Sequence, residues 1–385
     1  MNRYFQLDEH IIHLNHAAVA PWPKATRDAV IAFARENASI GSQHYDAWMQ
    51  TEQQLKHKLA LLINARFSDE IAILKNTSEG LSLIAQGLDF SAGDNLVVPA
   101  EEFPSNKVVW QALESLGVEI RLISLQDENG QTSDDPEQAL IDAIDKRTRL
   151  LSCSSVQFAR GLCLDLNRIG RACKQNGTLF CVDAIQSLGA MSFDVQACHA
   201  DFVVADGHKW MCGPEGAALF YCRQSVQPRL RLRQFGWHML KDAFDFSDQQ
   251  NEQPLNELII EGAQRFECGS PNMLGITALD ASLGVLLDIG IEKIQSAVLE
   301  NSKYLIEQLQ NIPGASLLTP IEAHRHAGIV TFSIDSADNL KLYQHLQNNN
   351  VICAFRGGGI RFSPHFYTSR QVMDRALAIV SDIEV

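Results

Sequence analysis

Positive charge is scarce in this sequence. There are 32 lysines and arginines against 46 aspartates and glutamates, so the formal net charge is −14. An acidic surface repels phosphate groups, which argues against nucleic acid or an anionic membrane as a partner. The opening residues MNRYFQLDEH lack the basic segment and apolar run of a secretory signal, and no apolar stretch reaches membrane-spanning length. We therefore expect a cytoplasmic protein whose partners are small molecules.

Closely paired cysteines are also missing. The nine cysteines follow no zinc-site spacing, and most sit inside strand-like or helix-like segments, which favours buried thiols and no metal site. Tandem repeats and low-complexity segments are absent as well. At 385 residues the chain is too long for one ordinary core, and its length predicts two domains.

Short apolar runs alternate with helix-patterned stretches between residues 70 and 222. This βαβ rhythm predicts an α/β fold with a mainly parallel sheet covered by helices, which binds ligands at the carboxyl ends of its strands. Two helices are expected before it, over residues 22–65, and a smaller α/β unit after residue 273. The runs are IAIL (71–74), NLVVP (95–99), EIRLIS (119–124), RLLSCSSV (149–156), TLFCVD (178–183), DFVVA (201–205) and AALFYC (217–222).

The strongest local signal is ADGHKWMCGPEG, where the run DFVVA ends in a turn that presents Lys209. Partial burial would lower the pKa of a lysine there and make its amine a nucleophile toward a cofactor aldehyde. One strand earlier, TLFCVD ends in Asp183, a carboxylate that needs a positive partner if it is buried. A protonated pyridine nitrogen is such a partner, and Gln186, three residues on, could reach a ring hydroxyl.

A third segment, KNTSEGLSLIAQGL, places Thr77 and Ser78 just ahead of an amphipathic helix. Hydroxyls and backbone N–H groups at a helix N-terminus form a phosphate site, although most such runs are simple helix caps.

Together these segments resemble the class V aminotransferase family of fold type I enzymes that depend on pyridoxal 5'-phosphate (PLP). This family includes cysteine desulfurases, kynureninases and isopenicillin N epimerase. The resemblance spans nearly the whole chain, from HLNHAAVAP (13–21) through NTSEG, EEFPSN, VDAIQSLGA and DGHKWMCGPEG to RFECGSPN (265–272) and IRFSPHFY (360–367). It implies a seven-stranded, mainly parallel sheet in a large PLP-binding domain at 15–265, and a small α/β domain formed by 1–14 and 266–385.

The resemblance also implies a role for each matching residue. Lys209 would form the Schiff base and move the proton at the substrate α-carbon. The other implied positions are Asp183 on the pyridine nitrogen, Gln186 on the ring oxygen, Thr77, Ser78 and His208 at the phosphate, Phe103 stacked on the ring, Arg361 on the substrate carboxylate, and Asn15 and His16 beside the substrate. Gly269 and Ser270 would reach the phosphate of the partner in a homodimer with shared active sites.

Two departures from the family pattern limit these expectations. Asp206 stands where many relatives have a phosphate-binding serine, so we expect it to point away from the phosphate or to contact phosphate-binding groups indirectly. Cysteine desulfurases carry a reactive cysteine just after the segment that matches AFRGGG, and this chain has none there. Cys353 lies inside an apolar run and is interpreted as a structural thiol. Arg356 is the weaker contender beside Arg361 for the substrate carboxylate and is otherwise interpreted as a surface or structural arginine.

The resulting prediction is a PLP-dependent enzyme that acts at the α-carbon of a small L-amino acid. An aminotransferase-like reaction ranks narrowly ahead of a β-eliminating C–S lyase and then an epimerase. A cysteine desulfurase is disfavoured. A PLP-binding protein without turnover is a further alternative, in which Lys209 and Arg361 would have no purpose.

Overall fold

The computed structural model describes residues 3–244, 254–322, 324–335 and 337–382. Of the stretch 240–256, which the sequence suggests as a mobile loop, residues 245–253 lie outside the described part. The helices in that part are α1 (Lys24–Ile40), α2 (Tyr45–Leu62), α3 (Thr77–Gly87), α4 (Ser105–Gln111), α5 (Pro136–Asp142), α6 (Leu166–Asn176), α7 (Leu255–Leu258), α8 (Met273–Ile289), α9 (Ile291–Leu309), α10 (Asn339–Asn348) and α11 (Arg370–Ser381).

The strands follow the sequence prediction closely, and each of the seven runs between residues 70 and 222 forms one strand. The strands are β1 (Ile12–His13), β2 (Ile71–Leu74), β3 (Asn95–Pro99), β4 (Glu119–Ile123), β5 (Thr148–Ser154), β6 (Leu179–Asp183), β7 (Phe202–Asp206), β8 (Ala218–Cys222), β9 (Ala315–Leu317), β10 (Val330–Ile334), β11 (Val351–Ile352), β12 (Ala354–Arg356) and β13 (Gly359–Phe362).

The central sheet has seven strands in the order β2-β8-β7-β6-β5-β3-β4. Its strands are parallel except β8, which is antiparallel to both neighbours. Side chains leave alternate faces of a strand, so Val203 of β7 packs in one apolar cluster and Val204 in another on the opposite face. Burial on both faces explains the continuous apolar runs and confirms the predicted mainly parallel α/β fold.

A second, antiparallel sheet in the order β12-β13-β10-β9 has an apolar cluster of its own with α9, α10 and α11. Strand β1 joins this part of the molecule by pairing in parallel with β11. Helix α8 contributes Leu279 and Leu283 to the cluster on one face of the central sheet, so it packs with the larger unit. The division into domains at residues 14–15 and 265–266 stays a prediction.

No single helix in the described ranges is long and apolar enough to cross a membrane. Helices α8 and α9 have the length and composition of a membrane span only when they are taken together, and they are bent by 83° relative to each other.

Four strands of the central sheet bring four polar side chains and one aromatic side chain to one edge. Strands β5, β6 and β7 end at Ser154, Asp183 and Asp206, and β3 is followed within a few residues by Glu102 and Phe103. Because parallel strands share their carboxyl ends, these side chains gather on the same side of the sheet.

Candidate active site

A cavity of about 310 Å³ lies at this edge of the sheet. It brings together eight of the residues that the sequence singles out, from segments spread between residues 77 and 361. These are Thr77, Ser78, Phe103, Asp183, Gln186, His208, Lys209 and Arg361, and further lining residues include Ala17, Asn76, Ser154, Phe158, Asp206 and Arg356.

Lys209 lies in the turn that follows β7, and its ammonium nitrogen is 5.6 Å from the ring centroid of Phe103. Burial lowers the pKa of the Lys209 amine to about 8. The carboxylate of Asp183 opposes this shift, and the guanidinium groups of Arg361 and Arg356 add to it. An amine with such a pKa is partly neutral near pH 7, the form that attacks an aldehyde or accepts a proton.

This lowered pKa predicts how the apoprotein takes up its cofactor. Only the neutral Lys209 amine can attack the PLP aldehyde, so the rate of cofactor incorporation should rise with pH and level off above about 8. Stopped-flow absorbance of apoprotein mixed with PLP over a pH series measures this dependence. A midpoint near 10.5, the ordinary lysine value, would contradict it.

Asp183 ends β6 with its side chain buried and one oxygen bonded to the backbone N–H of Ile185 at 3.0 Å. Burial raises the pKa of this carboxyl to about 6, against the lowering effects of that hydrogen bond and of the Lys209 ammonium. Burial therefore penalises the ionised form of this carboxyl, and a cationic partner would stabilise it. A protonated ring nitrogen fits that requirement.

Gln186 is fixed by two hydrogen bonds at the cavity wall. Its amide nitrogen donates to the carbonyl of Ala17 at 3.1 Å, and its amide oxygen accepts from the indole N–H of Trp210 at 3.0 Å. The amide nitrogen carries two hydrogens and therefore keeps a second donor. Its contact with a ring oxygen stays a prediction.

Helix α3 begins at Thr77 and directs its N-terminus into the cavity, capped by the side chain of Asn76. Gly80 permits its close approach to β7, because a Cβ there would lie 2.7 Å from Val204 Cγ1. The Thr77 hydroxyl accepts the backbone N–H of Asp206 at 3.1 Å, and the Ser78 hydroxyl donates to Ser105 at 2.8 Å. The backbone N–H groups and hydroxyls at the start of α3 suit a phosphate.

Asp206 lies close to this helix terminus, with Oδ1 3.1 Å from Nδ1 of His208. Its carboxylate therefore lies beside a predicted phosphate-binding group, which agrees with the expectation of an indirect contact.

An aromatic pair forms another wall of the cavity. Phe103 is 42% exposed and meets Phe158 edge to face, with ring centroids 5.2 Å apart. An exposed ring beside the Lys209 amine offers a face to a planar cofactor, and the burial expected of an ordinary core phenylalanine is absent.

Arg361 lies in β13 and is 2% exposed. Its Nη1 donates to the carbonyl of Phe158 at 2.6 Å and its Nη2 to Asn15 Oδ1 at 3.4 Å, while its buried Nε has no hydrogen-bond partner among the described residues. Burial lowers the pKa of Arg361 to about 10, and Arg356 contributes to the shift. A buried guanidinium that meets no carboxylate in the described structure is suited to the carboxylate of a ligand.

Asn15 and His16 do not line the cavity. Asn15 Oδ1 accepts a hydrogen bond from Arg361. His16 is fully buried, with Nδ1 2.8 Å from the Ser363 carbonyl and Nε2 2.6 Å from the Tyr367 hydroxyl. Burial holds the pKa of His16 well below its usual value, so the ring is neutral and both nitrogens are engaged. This geometry favours a positioning role for His16 over the predicted contact with substrate.

Gly269 and Ser270 are exposed and line a different cavity, beside Gly216 and Asn272. In the single chain they therefore do not reach the site around Lys209. The prediction that they reach the phosphate of a partner subunit stays open.

Sequence reasoning missed Glu102 and ranked Arg356 behind Arg361. Arg356 lines the cavity although it reads as a surface residue, and Glu102 is buried and accepts hydrogen bonds from the backbone N–H and hydroxyl of Ser154. The available signal for Arg356 was the paired glycine turn in AFRGGGIRF, which places Arg356 and Arg361 on adjacent strands.

The site as a whole fits PLP. It offers an amine of lowered pKa for the aldehyde, a buried carboxyl for the ring nitrogen, a helix N-terminus for the phosphate and an exposed aromatic face for the ring.

Comparison with known proteins agrees with this interpretation. A family model described as Aminotransferase class-V matches residues 12–366. A protein of Methanothermobacter thermautotrophicus named probable cysteine desulfurase is 31% identical over 386 residues, covering 95% of this chain and 92% of the relative.

Solved structures share the fold. The cystine C–S lyase C-DES in complex with its reaction product cysteine persulfide gives a TM-score of 0.88 at 23% identity, covering 98% of this chain and 99% of that one. A variant of C-DES with glycine covalently linked to the PLP cofactor gives a TM-score of 0.88 at 21% identity, covering 98% and 100%.

Proposed function

We propose, from the premise that this chain belongs to the class V aminotransferase family of PLP-dependent enzymes, that it cleaves the Cβ–S bond of a cysteine-derived L-amino acid. PLP is its cofactor. The proposal places β-elimination ahead of the transamination favoured by sequence alone, because a relative 31% identical is named a probable cysteine desulfurase, an activity on cysteine that the sequence prediction disfavours.

The observation that carries the proposal is a site equipped for carbanion chemistry with no thiol in its wall. All nine cysteines are described, and none lines the cavity around Lys209. Cys353 lies next to β12, but it packs in the apolar cluster of the smaller sheet, and burial raises the pKa of its thiol to about 12. A thiol in that state is a poor nucleophile, so the sulfur is released in a small molecule.

In the proposed reaction the residues of the chain bind the substrate and move its proton. Arg361 binds the α-carboxylate, and Phe103 and Phe158 exclude water from one side. Bound PLP supplies an electron sink at the substrate α-carbon. Lys209 removes the α-proton, the Cβ–S bond breaks with its electron pair on sulfur, and the proton held by Lys209 becomes available to the leaving thiolate.

The atoms balance without an oxidant or reductant. An S-substituted cysteine and one water give a thiol, pyruvate and ammonia, since the released 2-aminoacrylate is hydrolysed in water.

The homodimer with shared active sites and the cytoplasmic location are also parts of the proposal.

Product analysis tests this reaction class. We expect pyruvate, ammonia and thiol in equal amounts from S-substituted cysteines, with no accumulation of pyridoxamine 5'-phosphate. Pyridoxamine formation would show transamination, loss of optical activity without pyruvate would show epimerisation, and L-alanine with sulfur on a protein thiol would show desulfuration.

Replacing Cys353 separates the lyase from a sulfur-transfer enzyme. Cys353→Ala and Cys353→Ser should release thiol and pyruvate at nearly the rate of the unmodified enzyme, because the side chain faces the core of the smaller sheet. Thermal unfolding of each variant controls for loss of packing. A folded variant that has lost sulfur release would contradict the proposal.

A further inference from the structure

The hairpin formed by β12 and β13 carries two arginines into the cavity. Its turn is Gly357-Gly358, both with positive φ (59° and 85°), as a tight two-residue hairpin turn requires. Ala354 lies opposite Arg361 and Arg356 lies opposite Gly359. Residues directly opposite share a face of the sheet, so the side chains of Arg356 and Arg361 leave the same face, with only a methyl group and a hydrogen opposite them.

The two guanidinium groups are close enough to affect each other. Burial is the largest cause of the lowered pKa values of Arg361 and Lys209, and Arg356 lowers both further. Arg356 meets no carboxylate among the described residues, and its side chain donates to the neighbouring carbonyl of Phe355 at 2.8 Å. Like charges held together without a counter-ion repel one another, so an anion that binds between them is favoured.

The charges of the site leave Arg356 without a partner once the proposed roles are assigned. Asp183 pairs with the ring nitrogen, and Asp206 lies beside His208 at the phosphate. Arg361 takes the α-carboxylate, and the amine of Lys209 is used by the chemistry. A second anion on the rest of the substrate would complete the charge balance of the site.

We propose that Arg356 binds an anionic group on the sulfur substituent of the substrate, so the preferred substrates are cysteine derivatives with a distal carboxylate. This inference rests on the proposed C–S lyase function. Arg356 is exposed at the mouth of the cavity and Arg361 is buried within it, which matches an amino acid bound with its α-carboxylate inward and its substituent outward.

The test compares two substrates that differ in charge and hardly in shape, S-carboxymethyl-L-cysteine and S-carbamoylmethyl-L-cysteine. The readout is the ratio of their kcat/KM values for pyruvate release. We expect the unmodified enzyme to favour the carboxylate by about 10- to 100-fold, and Arg356→Gln to bring the ratio close to one. Arg356→Lys should keep part of the preference, because it keeps the charge and loses the planar fork.

A matched control removes a positive charge elsewhere. Lys303→Gln changes the net charge equally on a side chain that is 74% exposed, and its ratio should equal that of the unmodified enzyme. If Arg356→Gln lowers kcat/KM for both substrates equally, Arg356 has a structural role, such as pairing with a partner subunit, and the inference is overturned. An unmodified enzyme that does not distinguish the two substrates overturns it as well.

A binding measurement separates failure of this inference from failure of the proposed function. If neither these compounds nor other S-substituted cysteines yield pyruvate, the lyase proposal fails. The same two compounds are then titrated as ligands through the change in cofactor absorbance. Tighter binding of the carboxylate that disappears in Arg356→Gln supports the role of Arg356, and equal affinities overturn it.

Discussion

Lys209→Ala should lower turnover by about 10³-fold or more, because a positioned acid–base group contributes about 10²- to 10⁴-fold and Lys209 also links the cofactor to the chain. The variant should still bind PLP through the cradle around Thr77 and His208, but without a covalent link. Single-turnover absorbance and pyruvate release measure the two effects separately.

Two further variants serve as controls for this result. Lys209→Arg keeps a positive charge but can neither attack an aldehyde nor act as a base near neutral pH, so it should be as inactive as Lys209→Ala. Lys303→Ala, at an exposed position on α9, should be fully active. Appreciable turnover by either Lys209 variant would contradict the assigned role.

Asp183→Asn should lower kcat by about 10²- to 10³-fold, the usual cost of removing one electrostatic group matched to a reacting centre. Asparagine has nearly the same shape, but it cannot keep the ring nitrogen protonated. Steady-state kinetics with a saturating substrate measure the loss. Activity within a few-fold of the unmodified enzyme would show that Asp183 does not pair with the ring.

The same variant should make the apoprotein more stable. The pKa of Asp183 is raised from 3.8 to about 6 in the folded chain, so its burial costs stability that grows as pH rises through this window and is full above it. Asparagine removes that cost, and we expect a gain of up to about 3 kcal/mol near neutral pH and about half of it near pH 5. Urea unfolding of both apoproteins at the two pH values measures the difference.

The central sheet was predictable because its strands are covered on both faces. IAIL and NLVVP form β2 and β3 residue for residue, since a doubly buried strand leaves a continuous apolar run in the sequence. The positions of Asp183 and Lys209 are predicted from the same strand pattern. Polar groups that end buried strands gather at the carboxyl edge of a parallel sheet.

Contacts between distant segments could not be predicted from local sequence patterns. The ring nitrogens of His16 engage Ser363 and Tyr367, about 350 residues further along the chain, and no local signal distinguishes that arrangement from a substrate contact. The place of Arg356 depends on the register of a hairpin, and a slip of one residue would direct its side chain to the other face.

The most direct test of the account is the identity of the residue that carries PLP. Reduction of the holoenzyme with borohydride makes the link permanent, and peptide mass spectrometry then locates the added mass. We predict one modified site, Lys209, and no modification when Lys209→Ala is treated in the same way. Label on another lysine, or none on the unmodified enzyme, would contradict the account.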